Sequence, residues 1–507
     1  MLNFLKKDTG NIFLLTIFFA ILIPFFYLHQ GLLLIDTGRE FYIPSQMLTG
    51  SVLYKNIYNI YGPLSYQINA LLFMIFGQSI KVLYLAGLVC SYIITITTYL
   101  LSREFLNRIL SGLLSVLIIS SLVFGTFLYN SVITYSYAII YALCAFMLSL
   151  LFLIKYIKNG NSQNAIYACF FAGISFANKY EFLIYIVLLP IILAAIKPLN
   201  TKTSLKAVLA FLIIPILSFG SLVIQGFNLN DLKETNILFK NLINAPLLKI
   251  FFSNFGAFPS IKGLIRLIHA NGIYGIFGIL PIANIILASF KIKEIYKDKA
   301  LFTLVLCTIA ACAKNLFYLN VNHMGIFLFP ICILTFIVLL QKYKFKFSLL
   351  ILVCSILLFI SEDFSSLKYK NFELKTQKGT IYTYKKDGLP IQTAYDFIIE
   401  NTNADDKITV MPEGSFINFA TGRNGDNFYY NLSPLFYTDV FGEKRILDHF
   451  KNNLPEYFII LPIDNSEYGS RYFGIDYAQN FYEMIVNNYD LIEIQNEVKI
   501  FKRKNIK

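Results

Sequence analysis

The order of apolar and polar positions divides the chain into two unlike parts. From residue 11 to residue 361, long apolar runs alternate with short polar connections. The runs lie at 11–34, 80–102, 109–128, 131–154, 164–178, 181–197, 205–225, 272–290, 300–319, 324–340 and 347–361. A membrane-spanning helix needs about 20 apolar residues, so the pattern predicts about eleven transmembrane helices. Lys179 and Glu181 interrupt the stretch 165–196. As one helix it would be roughly 47 Å long, too much for a hydrocarbon core of about 30 Å. Two short helices meeting at one membrane face are predicted instead, with Lys179 near that face. After residue 361 the pattern changes. A helical pattern at 393–401 leads to a strand at 407–411, and a helix near 443–452 leads to a strand at 457–461. A third helix at 476–488 precedes strands at 490–495 and 497–503. This alternation predicts a small layered α/β domain.

Composition sharpens the division. The 507 residues are 56% apolar and only 14% charged, with a mean hydropathy of +0.61. Soluble proteins carry about 25% charged residues, so a disordered chain and a single soluble enzyme domain are excluded. The net charge of +13 would suit a polyanion, but its distribution does not. Residues 1–361 hold 26 Lys/Arg and nine acids, whereas residues 362–507 hold 17 Lys/Arg and 21 acids. The basic residues collect at the ends of the apolar runs, where the partners are membrane lipids and not nucleic acid. With the N-terminus inside, sixteen Lys/Arg fall in cytoplasmic connections and eight in the opposite loops. The positive-inside rule then predicts a multi-pass inner (plasma) membrane protein with a cytoplasmic N-terminus and an extracytoplasmic C-terminal domain. No small-residue cleavage site follows Lys6 and Lys7, so the first run reads as an anchor and not a signal peptide. All seven cysteines lie in the apolar part without CxxC spacing, which argues against disulfides and a zinc site. GxGxxG, GxxxxGK[ST] and Asp-x-Asp motifs are absent, so no nucleotide cradle is expected and no metal ligand is assigned.

Nine acids in the apolar part can be taken one by one. Asp8, Glu104, Glu294 and Asp298 adjoin cytoplasmic bases and read as solvated charges. Asp231 and Glu234 fall in the long segment 226–271. Asp36, Glu40 and Glu181 remain. Asp36 follows the first run directly, in Leu34-Ile35-Asp36-Thr37-Gly38-Arg39-Glu40. A carboxylate at the water–lipid boundary is partly desolvated and suits proton acceptance; the plainer reading is an interfacial acid. The loop 35–79 reads as two helices along the membrane surface, the second opened by Gly62-Pro63. Such a loop can roof a cavity.

Asp36-x-Gly38-x-Glu40, then Gly50, Tyr61-Gly62-Pro63-Leu64 and Phe76-Gly77, resembles GT-C membrane glycosyltransferases. More narrowly, it is similar to bacterial relatives of protein O-mannosyltransferases and lipid A aminoarabinose transferases. Gly173-Ile174-Ser175-Phe176-Ala177-Asn178-Lys179, Asn322-His323, Met411-Pro412-Glu413-Gly414 and Phe419-Ala420-Thr421-Gly422-Arg423 extend the resemblance over most of the chain. It implies a GT-C transmembrane catalytic domain at 1–361 and an extracytoplasmic α/β domain at 362–507. The implied activity is inverting transfer of a hexosyl or pentosyl group from a polyprenyl-phosphate donor to a glycan, lipid or protein acceptor, with a divalent cation left open as cofactor. Asp36 would be the catalytic base, and Glu40 would either supplement it or hold Arg39 or the loop in place. Lys179 would meet the donor phosphate, with Arg39 and Lys55 behind it; its plainer reading is a lysine reaching for the interface. Lys314, a costly charge inside the ninth run, is a second phosphate contact. Tyr61 and His323 are candidate substrate contacts, His323 also reading as a packed polar residue.

Thr37 and Gly62 depart from the aminoarabinose transferases, which tend to carry an acid and a lysine there, so sugar and acceptor stay open. A transporter or flippase of lipid-linked saccharides is the rival, but it needs polar groups along a path across the spans. Apart from Lys314 those interiors are nearly uncharged. A polysaccharide polymerase or ligase would draw on Arg266 and His269 in the segment 226–271.

Overall fold

The computed structural model describes residues 8–34, 36–125, 130–257, 260–317, 319–320 and 327–504. Helices stand in all eleven predicted runs. The first gives α1 (Asp8–Phe26), and the loop behind it folds into α2 (Asp36–Leu48) and α3 (Leu64–Phe76). Next come α4 (Ile80–Arg103), α5 (Arg108–Ile118), α6 (Tyr137–Asn159), α7 (Ser162–Asn178), α8 (Leu183–Ala195) and α9 (Thr201–Ile224). The segment 226–271 holds α10 (Leu229–Asn244), α11 (Pro246–Phe255) and α12 (Ile261–Asn271). The last runs give α13 (Gly275–Phe290), α14 (Lys299–Ala311), α15 (Phe329–Lys342) and α16 (Ser348–Leu367). Among the described residues, α1, α4, α6, α9 and α16 are each long and apolar enough to cross a membrane. The apolar stretch of α6 is 89% buried against 28% for α1, α9 and α16, so α6 is the central helix and those three lie at the periphery.

Two local features position the candidate site. The chain breaks at Lys179, as predicted: α7 ends at Asn178, Lys179 is extended (φ −151°, ψ 128°), and a tight turn over Tyr180–Phe182 leads into α8. The fourth run becomes helical only at Tyr137. Before it, the Asn130 side-chain oxygen accepts bonds from the Val132 and Ile133 backbone N–H groups, both at 2.8 Å. An asparagine bonding its own following backbone favours a turn over a helix, and this turn delivers Tyr135 to the end of α7.

Beyond α16 a hairpin of β1 (Phe372–Thr376) and β2 (Gly379–Thr383) precedes α17 (Lys385–Asn401), β3 (Ile408–Met411) and α18 (Ser415–Thr421). Then come α19 (Glu443–Asn452), β4 (Tyr457–Ile460), α20 (Gln479–Asn488), β5 (Tyr489–Gln495) and β6 (Val498–Arg503). The sheet runs β3-β4-β6-β5, with β3 and β4 parallel and β6 antiparallel to both neighbours. This small domain sits directly on the first-loop helices. A Cβ on Gly38 of α2 would come within 2.8 Å of Phe416 of α18, so only glycine permits this approach. Phe419 stacks on Phe41 at 5.2 Å and on Phe73 at 5.7 Å. The Tyr42 hydroxyl donates to Asn427 Oδ1 at 2.5 Å, and Asn427 Nδ2 donates to Ser51 Oγ at 3.0 Å.

Candidate active site

Asp36 is the first residue of α2, where the helix N-terminus favours a negative charge. Its Oδ1 is 2.9 Å from Arg39 Nη1, one helical turn on, and its side chain keeps 23% of its surface exposed. Arg39 is buried and over-determined. Nε meets Glu40 Oε1 at 3.2 Å, Nη2 donates to the Tyr135 carbonyl at 3.0 Å, and the guanidinium lies 5.2 Å from the Tyr61 ring centre. Burial disfavours this charge, but Tyr66, Tyr61, Asp36 and Glu40 around it hold it protonated well above the usual arginine range. Glu40 has no exposed surface. Its Oε1 also accepts from the Tyr66 hydroxyl at 2.8 Å, and its Oε2 from the Tyr137 backbone N–H at 2.7 Å. Of the two readings of Glu40, this enclosure favours the group that fixes Arg39 over the supplementary base.

Lys179 comes to the same place from the end of α7. Its Nζ is 4.2 Å from the Tyr61 ring centre, donates to the Tyr135 hydroxyl at 3.1 Å and lies 3.6 Å from Glu181 Oε1. Its side chain is only 2% exposed, which is not the pose of a lysine reaching for solvent. Tyr61 thus receives both cations on one ring. The loop is pinned there: Gly62 N–H donates to the Asn178 carbonyl at 2.9 Å, and a Cβ on Gly62 would fall 2.1 Å from the Ala177 carbonyl oxygen. Lys314 reaches the cluster only through Glu181, at 3.8 Å, and its side chain is 58% exposed. It is not the buried charge that its run implied. Lys55 is not brought in at all. It is exposed, and its Nζ donates to the Gly226 carbonyl at 3.1 Å. His323 lies outside the described residues. No three His, Cys, Asp or Glu side chains cluster as metal ligands among the described residues.

Residues 61–220 match the family model described as dolichyl-phosphate-mannose-protein mannosyltransferase. The fold is similar to ArnT from Cupriavidus metallidurans bound to undecaprenyl phosphate, with a TM-score of 0.57 and 11% identity over 98% of each chain. It is also similar to the archaeal oligosaccharyltransferase AglB from Archaeoglobus fulgidus, solved with an inhibitory peptide and a dolichol-phosphate. There the TM-score is 0.54 and the identity 12%, over 90% of this chain and 70% of that one. The chain has the fold of these GT-C membrane glycosyltransferases. No curated protein matches it in sequence.

Several groups at the candidate site escaped the sequence reading. Tyr66 and Tyr135 look like ordinary aromatic residues beside apolar runs. The C-terminal domain adds Glu413, which is buried at 8% exposure directly after β3. Burial, with Asp36 nearby reinforcing it, pushes its carboxyl up to about 8. An acid directly after a parallel strand was the available sign, because side chains there border the crevice where such sheets bind ligands. Beside the cation pair, an apolar cavity of about 600 Å³ is lined by Tyr54, Tyr180, Leu183, Phe219, Leu222 and Val223, among others. Tyr54 ties it to the site, its hydroxyl donating to the Tyr61 carbonyl at 2.5 Å.

Proposed function

We propose that this transferase moves a sugar from a polyprenyl-phosphate donor to a hydroxyl of an envelope acceptor, at the extracytoplasmic face of the cytoplasmic membrane. One observation carries the reading: a part-exposed carboxylate and two enclosed cations meet around a single aromatic ring, beside an apolar cavity. A polyprenyl-linked sugar needs this combination, an apolar berth for the chain, positive charge for the phosphate and a base at the reacting carbon. The donor chain enters the cavity next to Tyr180, and its phosphate faces Lys179 and Arg39. Asp36 takes the proton from the acceptor hydroxyl as that oxygen bonds to the anomeric carbon. The bond from that carbon to the phosphate oxygen breaks, and the polyprenyl phosphate leaves with the electron pair, inverting the centre. Negative charge grows on the leaving phosphate, and fixed cations in an enclosed site stabilise it where it develops. Glu40 is a positioning residue that keeps Arg39 aimed at both Asp36 and the phosphate. The charge distribution of the loops supports a cytoplasmic N-terminus.

Mass spectrometry of envelope glycans from wild-type, deletion and Asp36→Asn strains tests the reading. The deletion and Asp36→Asn are expected to lose the same glycan modification. Full restoration by Asp36→Asn would remove Asp36 from the role of base.

A further inference from the structure

At the lysine-rich end of the bundle, α13 and α14 leave an apolar groove of about 320 Å³ between them. One wall is Ile285, Ala288, Ser289 and Ile292; the other is Phe302, Val305, Leu306 and Ile309. Both sets are spaced i, i+3, i+4, i+7, so each is one helical face, and the groove runs about 10 Å along the helices. The short helix Ile292–Lys297 borders its mouth: Ile292 lines the groove, and the Tyr296 ring meets Phe302 edge-on at 5.3 Å. From the end of α15, the Tyr343 hydroxyl donates to the Leu287 carbonyl, and Lys291 Nζ lies 5.2 Å from the Tyr343 ring centre. The charge here is unbalanced. Residues 291–299 and 342–346 carry seven lysines against Glu294 and Asp298. Both acids are engaged: Glu294 Oε1 is 3.0 Å from Lys291 Nζ, and Asp298 accepts from the Leu301 backbone N–H at 3.1 Å. Among the described residues Lys293, Lys297 and Lys342 have no carboxylate partner, and all three are exposed. At the same end of the bundle, Arg103 and Arg108 are answered by Asp8, and Lys158 by Glu104.

We propose that this groove and its lysines form a binding site for an anionic glycerophospholipid, with one acyl chain lying between α13 and α14 and the phosphodiester facing Lys293 and Lys297. Lipid tails are as apolar as the groove, so the groove supplies shape and little affinity. Clustered lysines at a membrane surface attract anionic headgroups, so the headgroup decides which lipid stays. Tyr296, 69% exposed at the mouth, is a residue type that settles at headgroup level. The site is at the opposite end of α14 from Lys314 and does not depend on the reaction proposed above.

The test offers the full-length protein in detergent equal amounts of phosphatidylglycerol, phosphatidylethanolamine and undecaprenyl phosphate, and reads the retained lipid by native mass spectrometry. The wild type is expected to retain phosphatidylglycerol over phosphatidylethanolamine, and less of it as salt rises. Lys293→Gln combined with Lys297→Gln should weaken phosphatidylglycerol retention roughly 30-fold at low salt. Ser289→Phe, which fills the groove from its exposed side, should weaken it about three-fold. Lys202→Gln combined with Lys206→Gln removes the same charge from exposed positions on α9, outside the groove, and should leave retention within about two-fold. Equal loss in both lysine pairs would mean a diffuse basic surface and overturns the site, as does equal retention of the two phospholipids by the wild type. Undiminished retention in Ser289→Phe overturns the groove as the seat of the chain. Loss of undecaprenyl phosphate in place of phosphatidylglycerol from the first lysine pair overturns the lipid class. If that pair does not fold, Ser289→Phe and the wild-type preference decide.

Discussion

Asp8 and Asp36 are the same local motif at two places in the molecule. Each is the first residue of a helix, and each pairs with arginine. Asp8 Oδ1 lies 2.8 Å from Arg103 Nε and 3.3 Å from Arg108 Nε, in pairs whose side chains are 24–44% exposed. Asp36 lies 2.9 Å from an arginine that is only 8% exposed. The distances hardly differ, so contact geometry does not separate them; the enclosure of the cation does. At Asp8 water already solvates both charges, and the pair adds little. At Asp36 the arginine cannot relax into water, and Glu40, Tyr66, the Tyr135 carbonyl and the Tyr137 N–H form a chain of contacts that dictates where it points. A charge fixed in advance is what stabilises a transition state. The solvated pair marks an end of the bundle, and the enclosed one can do chemistry.

The largest expected effect breaks the comparison at Asp36. Asp36→Asn keeps the shape of the side chain and removes the proton acceptor, so kcat should fall by roughly 10²–10⁴-fold. Thermal melting should stay near that of the wild type, because Asp36 is the exposed end of the network. Glu40→Gln acts in the opposite way. It leaves Arg39 enclosed with one anion fewer, and breaking a buried pair costs about 3–5 kcal/mol. A lower melting temperature in detergent should accompany a higher KM for the lipid donor. Wild-type melting in Glu40→Gln would mean that the network does not hold Arg39.

Much of this was legible in the sequence, for a physical reason. Apolar runs and their basic flanks are local properties, so the helices, the break at Lys179 and the two first-loop helices could be read one segment at a time. Gly62 was read as a departure from the aminoarabinose transferases. The structure supplies its cause in the close pass over the Ala177 carbonyl oxygen. What was not legible depends on pairs distant in sequence. Glu40 meets Tyr137 across 97 positions, and nothing near either residue announces it. Without those partners Glu40 reads equally well as a second base. The hairpin β1–β2 was missed because its strands are mostly polar; Leu374 and Ile381 are its buried apolar side chains, too few for an alternating pattern.

Glu413 sharpens the comparison by offering a carboxyl that is enclosed without a cation of its own. Its folded-state pKa of about 8 stands above the ordinary 4.5. Below the ordinary value both folded and unfolded chains hold the proton, and stability is full. As pH rises toward 8, the unfolded chain ionises first, and stability falls by at most about 1.4 kcal/mol per pH unit. Glu413→Gln removes this dependence. Between pH 5 and pH 8 the melting temperature of the wild type should therefore fall relative to that of the variant. Parallel curves would mean that Glu413 titrates as an ordinary surface acid.

The smallest effect belongs to Asp8, and it makes the comparison sharp because a null result is expected where the contact distances promise one much like that at Asp36. Asp8→Asn removes a carboxylate that faces Arg103 and Arg108 together and also accepts from the Tyr99 hydroxyl at 2.8 Å. The asparagine oxygen still accepts from Tyr99, and both arginines turn to solvent. Exposed pairs contribute roughly 0–1 kcal/mol, so melting should shift by no more than that, and less in high salt, where such pairs are screened. Transfer activity should be unchanged, because Asp8 belongs to the lysine-rich end of the bundle. If Asp8→Asn instead abolished transfer while the protein stayed folded, enclosure would not be what separates the two aspartates, and the assignment of chemistry to the Asp36 end would fail with it.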